Sequence, residues 1–543
     1  MMGWYSILPP VVAIALALFT KRLVIPMLVG VATGAGLLAT KQPDSNWLVE
    51  TSWILGMAIY DSLFNIDHLH VLAFTILIGA TIGVLESSQC LRRVIGSVAK
   101  HVRTRRGGQT LIGASGLAIF FDDYANTLLI GGTMRSTADR YGISRAKLAY
   151  LVDSTAAPVA GLTLISTWVA TELSYLESGL AAAGIEQPGM ALSMFTQSIP
   201  FRFYPIMAIV MVFVIARTGR DFGPMRHAEL DAAGQAPTQP APSETPSAAW
   251  QDLVAAFVPV AGVMITVFVV LVFTADSPAV ADPPQRKSSN FLFSLGQMIG
   301  SGNSYLALVI AGAVGLCLAG TLAWWRDPTA SPAITRSALR GGVDMLPAMV
   351  ILWLAWALSA MTDRDALDTG GFLGSYLGDR VDVRWLPTCV FVLAGFVAFA
   401  TGTSWGTMAL LTPIAVSLAI KMQVTDAANI IDVASPITLA TFSGVLAGAI
   451  FGDHCSPISD TTVLSSRASG CDHIIHVRTQ LPYALTVASA CVVLGTIPVG
   501  FGVSVWICLL ASVLAIGMVV RVLGHQVEPE SIASPTDGGE ADR

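Results

Sequence analysis

Two clusters of acidic, amide and hydroxyl residues interrupt stretches of membrane-grade apolar sequence, and the two clusters correspond to one another. The first is Phe120-Phe121-Asp122-Asp123-Tyr124-Ala125-Asn126, followed by Asp153-Ser154-Thr155-Ala156-Ala157-Pro158. The second is Thr401-Gly402-Thr403-Ser404-Trp405-Gly406-Thr407, followed by Gly452-Asp453-His454-Cys455-Ser456-Pro457-Ile458-Ser459-Asp460. Ionisable groups at membrane depth are expensive and mark functional sites. A chain with such a set in each half is expected to move a solute across the bilayer.

Composition supports the membrane setting. The 543 residues are 54% hydrophobic and only 12% charged, with a mean hydropathy of +0.66, where soluble domains carry about 25% charged residues. The net charge of -6 decides little, because topology follows the placement of charge. Basic clusters all flank apolar runs, so no nucleic-acid partner is expected. The seven cysteines lack the paired spacing of a disulfide scaffold. The apolar start from Trp4 to Phe19 has neither a basic leader nor a cleavage pattern and reads as a retained span.

A span needs roughly 20 apolar residues. That rule picks out eleven: 4–20, 23–40, 68–88, 148–171, 200–216, 251–274, 304–325, 343–361, 433–466, 479–499 and 501–521. Segment 47–66 reads as amphipathic or loop. Two further apolar stretches, 108–134 and 386–420, are each split by a polar centre. The first is flanked by six basic residues in 92–106 and four in 135–147. Lys and Arg gather on the cytoplasmic side, so both flanks belong there, and 108–134 is expected to enter and return as a hairpin. The second has acidic flanks, five Asp against three Arg in 362–384, and is expected to enter from outside. Residues 172–199, with three Glu and no Lys or Arg, read as an outer segment, and 275–303 as another despite Arg286-Lys287.

Threaded together, these assignments give two halves of opposite orientation. The expectation is an all-α polytopic fold with inverted-topology repeats, at 1–217 and 251–499. A cytoplasmic linker spans 218–250, an extra helix 500–521, and a disordered tail 522–543. Secondary transporters of this plan bind at the repeat interface near the midplane.

Proline and glycine inside 148–171 and 433–466 predict broken helices, whose freed carbonyls and hydroxyls offer oxygen ligands. The expected cation or substrate ligands are Asp122, Asp123, Asn126, Asp153, Ser154, Thr155, Thr403, Ser404, Thr407, Asp453, Ser456, Ser459 and Asp460. Asp123, Asp153 and His454 are expected to couple the proton, since adjacent carboxylates at 122 and 123 repel and cannot both ionise cheaply, and histidine titrates near neutrality. At the tip one of that pair should face the cavity and the other cap backbone amides. The bland reading stands beside this: membrane Ser and Thr usually bond back to their own helix. Since no Lys or Arg was found inside a hairpin or broken helix, the charge balance favours a cation. Cys471, Asp472, His473 and His476 have zinc-like spacing, but a solvated turn is the commoner explanation. Phe451-Gly452-Asp453 has the Gly-Asp pair of intramembrane aspartyl proteases without their partner sequence, so a hydrolase is the distant alternative. No cofactor is called for.

The runs IFFDDYANTLLIGGTMR (119–135), LAYLVDSTAAPVAGLTLISTW (148–168), TGTSWGTMALLTPIA (401–415) and IFGDHCSPISDTTVLSS (450–466) resemble the NhaC-type Na+/H+ antiporter family. The resemblance implies an inner-membrane, multi-pass protein with opposed re-entrant hairpins, exchanging Na+ for H+ on the residues quoted, with a scaffold that pairs as a homodimer. The family also includes exchangers of malate, lactate and amino acids, so H+- or Na+-coupled exchange of small organic acids or amino acids remains the alternative.

Overall fold

The computed structural model describes residues 3–20, 22–41, 46–164, 166–185, 187, 189–234, 249–274, 303–378, 380–423 and 433–527. Most of 275–303, with Arg286-Lys287, and the tail beyond Val527 lie outside these. The described chain is helical apart from one antiparallel pairing of Arg220–Asp221 with His525–Gln526.

Both split stretches are helical hairpins. The first has arms Arg105–Ala118 and Asp123–Arg140, the second Leu386–Thr401 and Ser404–Met422. Local chemistry makes the two tips alike. Asp122 is extended and its carboxylate accepts from the Ala125 amide at 2.7 Å. Thr403 is extended in the same way, and its hydroxyl accepts from the Gly406 amide at 3.4 Å. Each side chain satisfies an orphan amide at the start of a returning arm. Gly402 turns the second tip with φ +72 and lies so close to the Ile458 carbonyl that an added Cβ would sit 2.7 Å from it.

Broken helices follow both hairpins. The first begins at Arg145, capped by Ser144 on the Lys147 amide at 3.0 Å, and stops at Asp153. One turn at Ala157–Ala160 and a non-helical stretch lead to Val169–Ala182. The second runs Pro436–Cys455, capped by Ser435 on the Thr438 amide at 3.2 Å, breaks, and resumes as Asp460–Ser469. The breaks fall at unequal depths, after 9 residues in one and 20 in the other.

A glycine stripe fixes the second hairpin to its broken helix. Gly444, Gly448 and Gly452 recur every four residues on Pro436–Cys455 and meet Pro387, Phe391 and Gly395 of the first arm. Small residues let helix backbones touch, which supplies packing where lipid offers no hydrophobic drive. Gly79 and Gly83 of Ile66–Ser88 meet Gly341 and Ser337 of Ser331–Asp344 in the same manner.

Nine helices among the described residues are long and apolar enough to cross a bilayer, ten if the pair Met190–Phe201 and Phe203–Thr218, bent by 43°, counts as one span. Two of the nine are the arms of the second hairpin, while Gly3–Ala17 and Val24–Ala39 are apolar but shorter. Residues 47–66, read as amphipathic or loop, form an 18-residue helix, Trp47–Phe64, capped by Asn46. Residues 172–199, read as an outer segment, are largely helical, and helix Val169–Ala182 is packed into the protein, where Glu172 meets Arg202, Ser174 accepts from the Trp356 indole and Glu177 from the Tyr305 hydroxyl. Part of the linker is ordered as Gly223–Gly234, whose buried Glu229 accepts from the Ser144 amide at 2.7 Å and from Arg105.

Candidate functional site

The two hairpin tips and the two helix breaks meet. The Thr167 amide, in the unwound stretch of the first broken helix, donates to the Phe121 carbonyl at 3.0 Å. Its hydroxyl donates to Asp122 at 3.1 Å. Trp168, next along, packs edge-on against Trp405 at the other tip, ring centres 5.4 Å apart. Ser456 at the second break donates to the Phe399 carbonyl at 2.7 Å. Between the first hairpin and the second broken helix, the Tyr124 hydroxyl donates to Asp460.

The carboxylates differ in how they are held. Asp122 is tied by the Ala125 amide and Thr167, and it also lines the central cavity. Capping and cavity-facing thus fall on one residue rather than being divided between neighbours. Asp123 is 1% exposed, and neither of its oxygens has a hydrogen-bond partner among the described residues. Asp453 accepts from Thr461 at 2.8 Å through one oxygen, and the other is unpartnered. Asp153 accepts from Gln480 at 2.6 Å and Thr462 at 3.5 Å, all through Oδ2, while Oδ1 has no partner. Asp460 opens into the cavity. A bare buried carboxylate is costly unless a proton or a cation joins it.

Several predicted ligands are engaged locally. Asn126 donates to the carbonyls of Gly116, Ile119 and Thr155 at 2.8–2.9 Å, binding both hairpin arms to the first break, and only its Oδ1 stays unpartnered. Thr155 donates back to Leu151 at 2.7 Å and Thr407 to Thr403 at 2.9 Å. Ser459 caps Asp460–Ser469, the half-helix after the second break, on Thr462, and Thr403 caps the second tip at the cavity wall. Ser154 and Ser404 are buried beside these groups. His454 lies between the Tyr204 hydroxyl at 3.2 Å and the Asp153 carbonyl at 3.1 Å.

The cavity encloses about 800 Å³. The tips and half-helix Asp460–Ser469 supply Asp122, Tyr124, Thr403, Trp405 and Asp460, and the facing helices supply Glu86, Arg340 and Asp344.

Composition hid three residues. Arg202 is fully buried, donating to the Gly161 carbonyl and to Glu172 at 2.9 Å, so a cation does stand beside the unwound stretch, neutralised by its partner. His476 and Gln480 point inward at Asp153 from His473–Ala490. His473 instead contacts the Pro457 carbonyl at 2.7 Å, and no cluster of metal-ligating side chains forms among the described residues. An i, i+4 polar pair on an apolar helix was the available signal.

The Na+/H+ antiporter family model matches residues 159–501. An uncharacterized protein of Haemophilus influenzae is 31% identical over 92% of this chain and 91% of its own length. The malate-2H+/Na+-lactate antiporter of Bacillus subtilis is 32% identical over 25% of this chain and 29% of its own. Among solved structures, the YdaH transporter of Alcanivorax borkumensis shares the fold with a TM-score of 0.54 at 17% identity, covering 84% of this chain and 90% of that one. The family model, the Bacillus subtilis relative and the solved structure are of transporters, and the hydrolase alternative has no support in them. Apolar helices enough for a multi-pass membrane protein, converging hairpins and the matched region agree: the chain belongs to the Na+/H+ antiporter family of secondary transporters.

Proposed function

We propose that this protein exchanges Na+ for H+ across the cytoplasmic membrane, the inner one, by alternating access. The observation that carries the reading is Asp123, a buried carboxylate with both oxygens unpartnered. Its charge is acted on by Asp122 and Asp460. Such a group holds a proton or a sodium ion but not both, and mutual exclusion yields antiport. A domain carrying neither would cross reluctantly, since an uncompensated charge costs about 2.3 kcal/mol per 100 mV. Asp153 and Asp453, each with a free oxygen, and Asn126 Oδ1 complete the set of oxygens offered to the cation.

The repeats 1–217 and 251–499 are read as inverted, with both hairpins re-entrant. The cavity rim at Glu86, Ser87 and Arg340 then faces the cytoplasm, and the conformation is inward-open. The hairpin-bearing half moves against a scaffold that pairs as a homodimer. Proteoliposomes loaded with a pH dye test the exchange: sodium alone should move protons, and silence to sodium sinks the reading.

A second reading is supported by the cavity. At about 800 Å³ with Arg340 in its wall, it admits a small organic acid, and the Bacillus subtilis relative exchanges malate and lactate by its name. A dye response to malate or lactate but not to sodium alone would favour this reading.

A further inference from the structure

Gln480 joins the two broken helices at their breaks. Its amide nitrogen donates to Asp153 Oδ2 at 2.6 Å, where the first broken helix stops, and to the His454 carbonyl at 2.9 Å, next to Asp453 near the end of the second. The side chain is 1% exposed and its own Oε1 has no partner. His476, one turn earlier on the same helix face, brings Nε2 to 3.4 Å from the same carboxylate oxygen. Thr462 adds a donor from helix Asp460–Ser469, within reach of both Asp153 and the Asp453 carbonyl. One neutral amide on a third helix therefore links the Asp153 carboxylate to the backbone beside Asp453.

We infer that Gln480 is a positioning residue that holds Asp153 and Asp453 at the separation needed to bind the transported solute. This rests on the exchange reading for the solute's identity but not for the geometry. An amide suits the task because it donates two hydrogen bonds and brings no charge of its own. It fixes Oδ2 of Asp153 and leaves Oδ1 open. A lysine there would neutralise the carboxylate, and a carboxylate would repel it. Elsewhere the helix has its own polar contact, the Tyr483 hydroxyl donating to Asp221 at 2.6 Å, and Asp221 is paired with Lys147.

The test uses the full chain in proteoliposomes. Wild-type protein first shows which solute moves protons, sodium alone or malate or lactate. Gln480→Met keeps the length without the donor, and Gln480→Glu keeps the shape and adds repulsion. For that solute, KM should rise by about tenfold or more in both variants, the loss expected for one hydrogen bond to a charge, while kcat falls less. Gln480→His, which retains a donor, should recover part of the affinity. An unchanged KM in both variants overturns the inference, including when their thermal stability falls. A wild type silent to sodium but responsive to malate or lactate defeats the sodium reading and leaves the Gln480 comparison to be made with the organic acid. If Gln480→Glu fails to accumulate, Gln480→Met decides alone.

Discussion

The hydroxyl of Tyr124, just past the first hairpin tip, donates to the carboxylate of Asp460, the first residue of helix Asp460–Ser469 after the second break. Both residues line the cavity, so the bond closes the site between elements far apart in sequence. Tyr124→Phe removes the donor with almost no change of shape. The chain should fold, because Asp460 also accepts from the Thr461 amide at 2.9 Å. Solute KM should rise several-fold, in line with a lost bond to a charged group. Unaltered transport kinetics would show that the contact is decorative.

Adjacent carboxylates should fail in different ways. Asp122 caps the returning arm at Ala125, and loss of a capping side chain costs about 1 kcal/mol. Asp122→Asn retains an acceptor and should lower thermal stability only slightly while weakening transport. Asp123 caps no backbone and, among the described residues, makes no hydrogen bond of good geometry, only an electrostatic interaction with the Trp168 indole. Asp123→Asn should therefore fold normally and abolish proton-coupled exchange. Sodium-driven proton movement at the wild-type rate in Asp123→Asn, measured with the pH dye, would remove that residue from the mechanism.

Hairpin re-entry has a direct chemical readout. In a cysteine-free background, cysteines at Arg103 and Arg140 should react with a membrane-impermeant maleimide only from the cytoplasm. One at Arg384 should react only from outside. Arg103 and Arg140 labelled from opposite faces would make 108–134 a single true span and end the inverted-repeat scheme.

Residues that break helices announced themselves in the sequence; residues that find partners did not. Gly402, Pro158, Pro457 and the caps Asp122 and Thr403 act through their own backbone neighbours, so hairpins and breaks were legible. Hydropathy treats Glu172 and Glu177 as water-seeking and cannot foresee Arg202 or Tyr305 beside them. That is why the packing of helix Val169–Ala182 into the protein was not legible. The inward turn of His476 and Gln480 depends on which face of their helix meets the first break, which is fixed only by tertiary packing. Glu229 likewise orders its helix through Arg105 and Ser144, far away in the chain.

The glycine stripe predicts a severe packing defect. A Cβ on Gly448 would press against the Phe391 carbonyl and stand 2.9 Å from the Ala394 methyl. Backbone cannot yield as a side chain tip does, so Gly448→Val should cost about 1–3 kcal/mol or more. It should sharply reduce folded protein in the membrane. Gly132→Ala is the control, since nothing lies within 4 Å of its added Cβ. Equal accumulation of the two variants, measured by fluorescence-detected size exclusion, would show that the stripe tolerates separation.

Asp363 sits just past the end of helix Leu346–Thr362, outside the span. Burial, with Asp365 nearby and only Lys421 opposing, pushes its carboxyl up to about 6. The unfolded chain ionises this group near its ordinary value of about 4. The folded protein therefore binds the proton more tightly, and stability present below about pH 4 is lost as the pH rises through about 6. Asp363→Asn mimics the protonated form at every pH. It should leave stability at pH 4 unchanged and raise it at pH 8 by roughly 1 kcal/mol, after allowance for solvent screening at this partly exposed position. Thermal unfolding of both proteins across this range checks the sign: a variant less stable than wild type at pH 8 would mean that the ionised carboxylate holds a bond the asparagine cannot make.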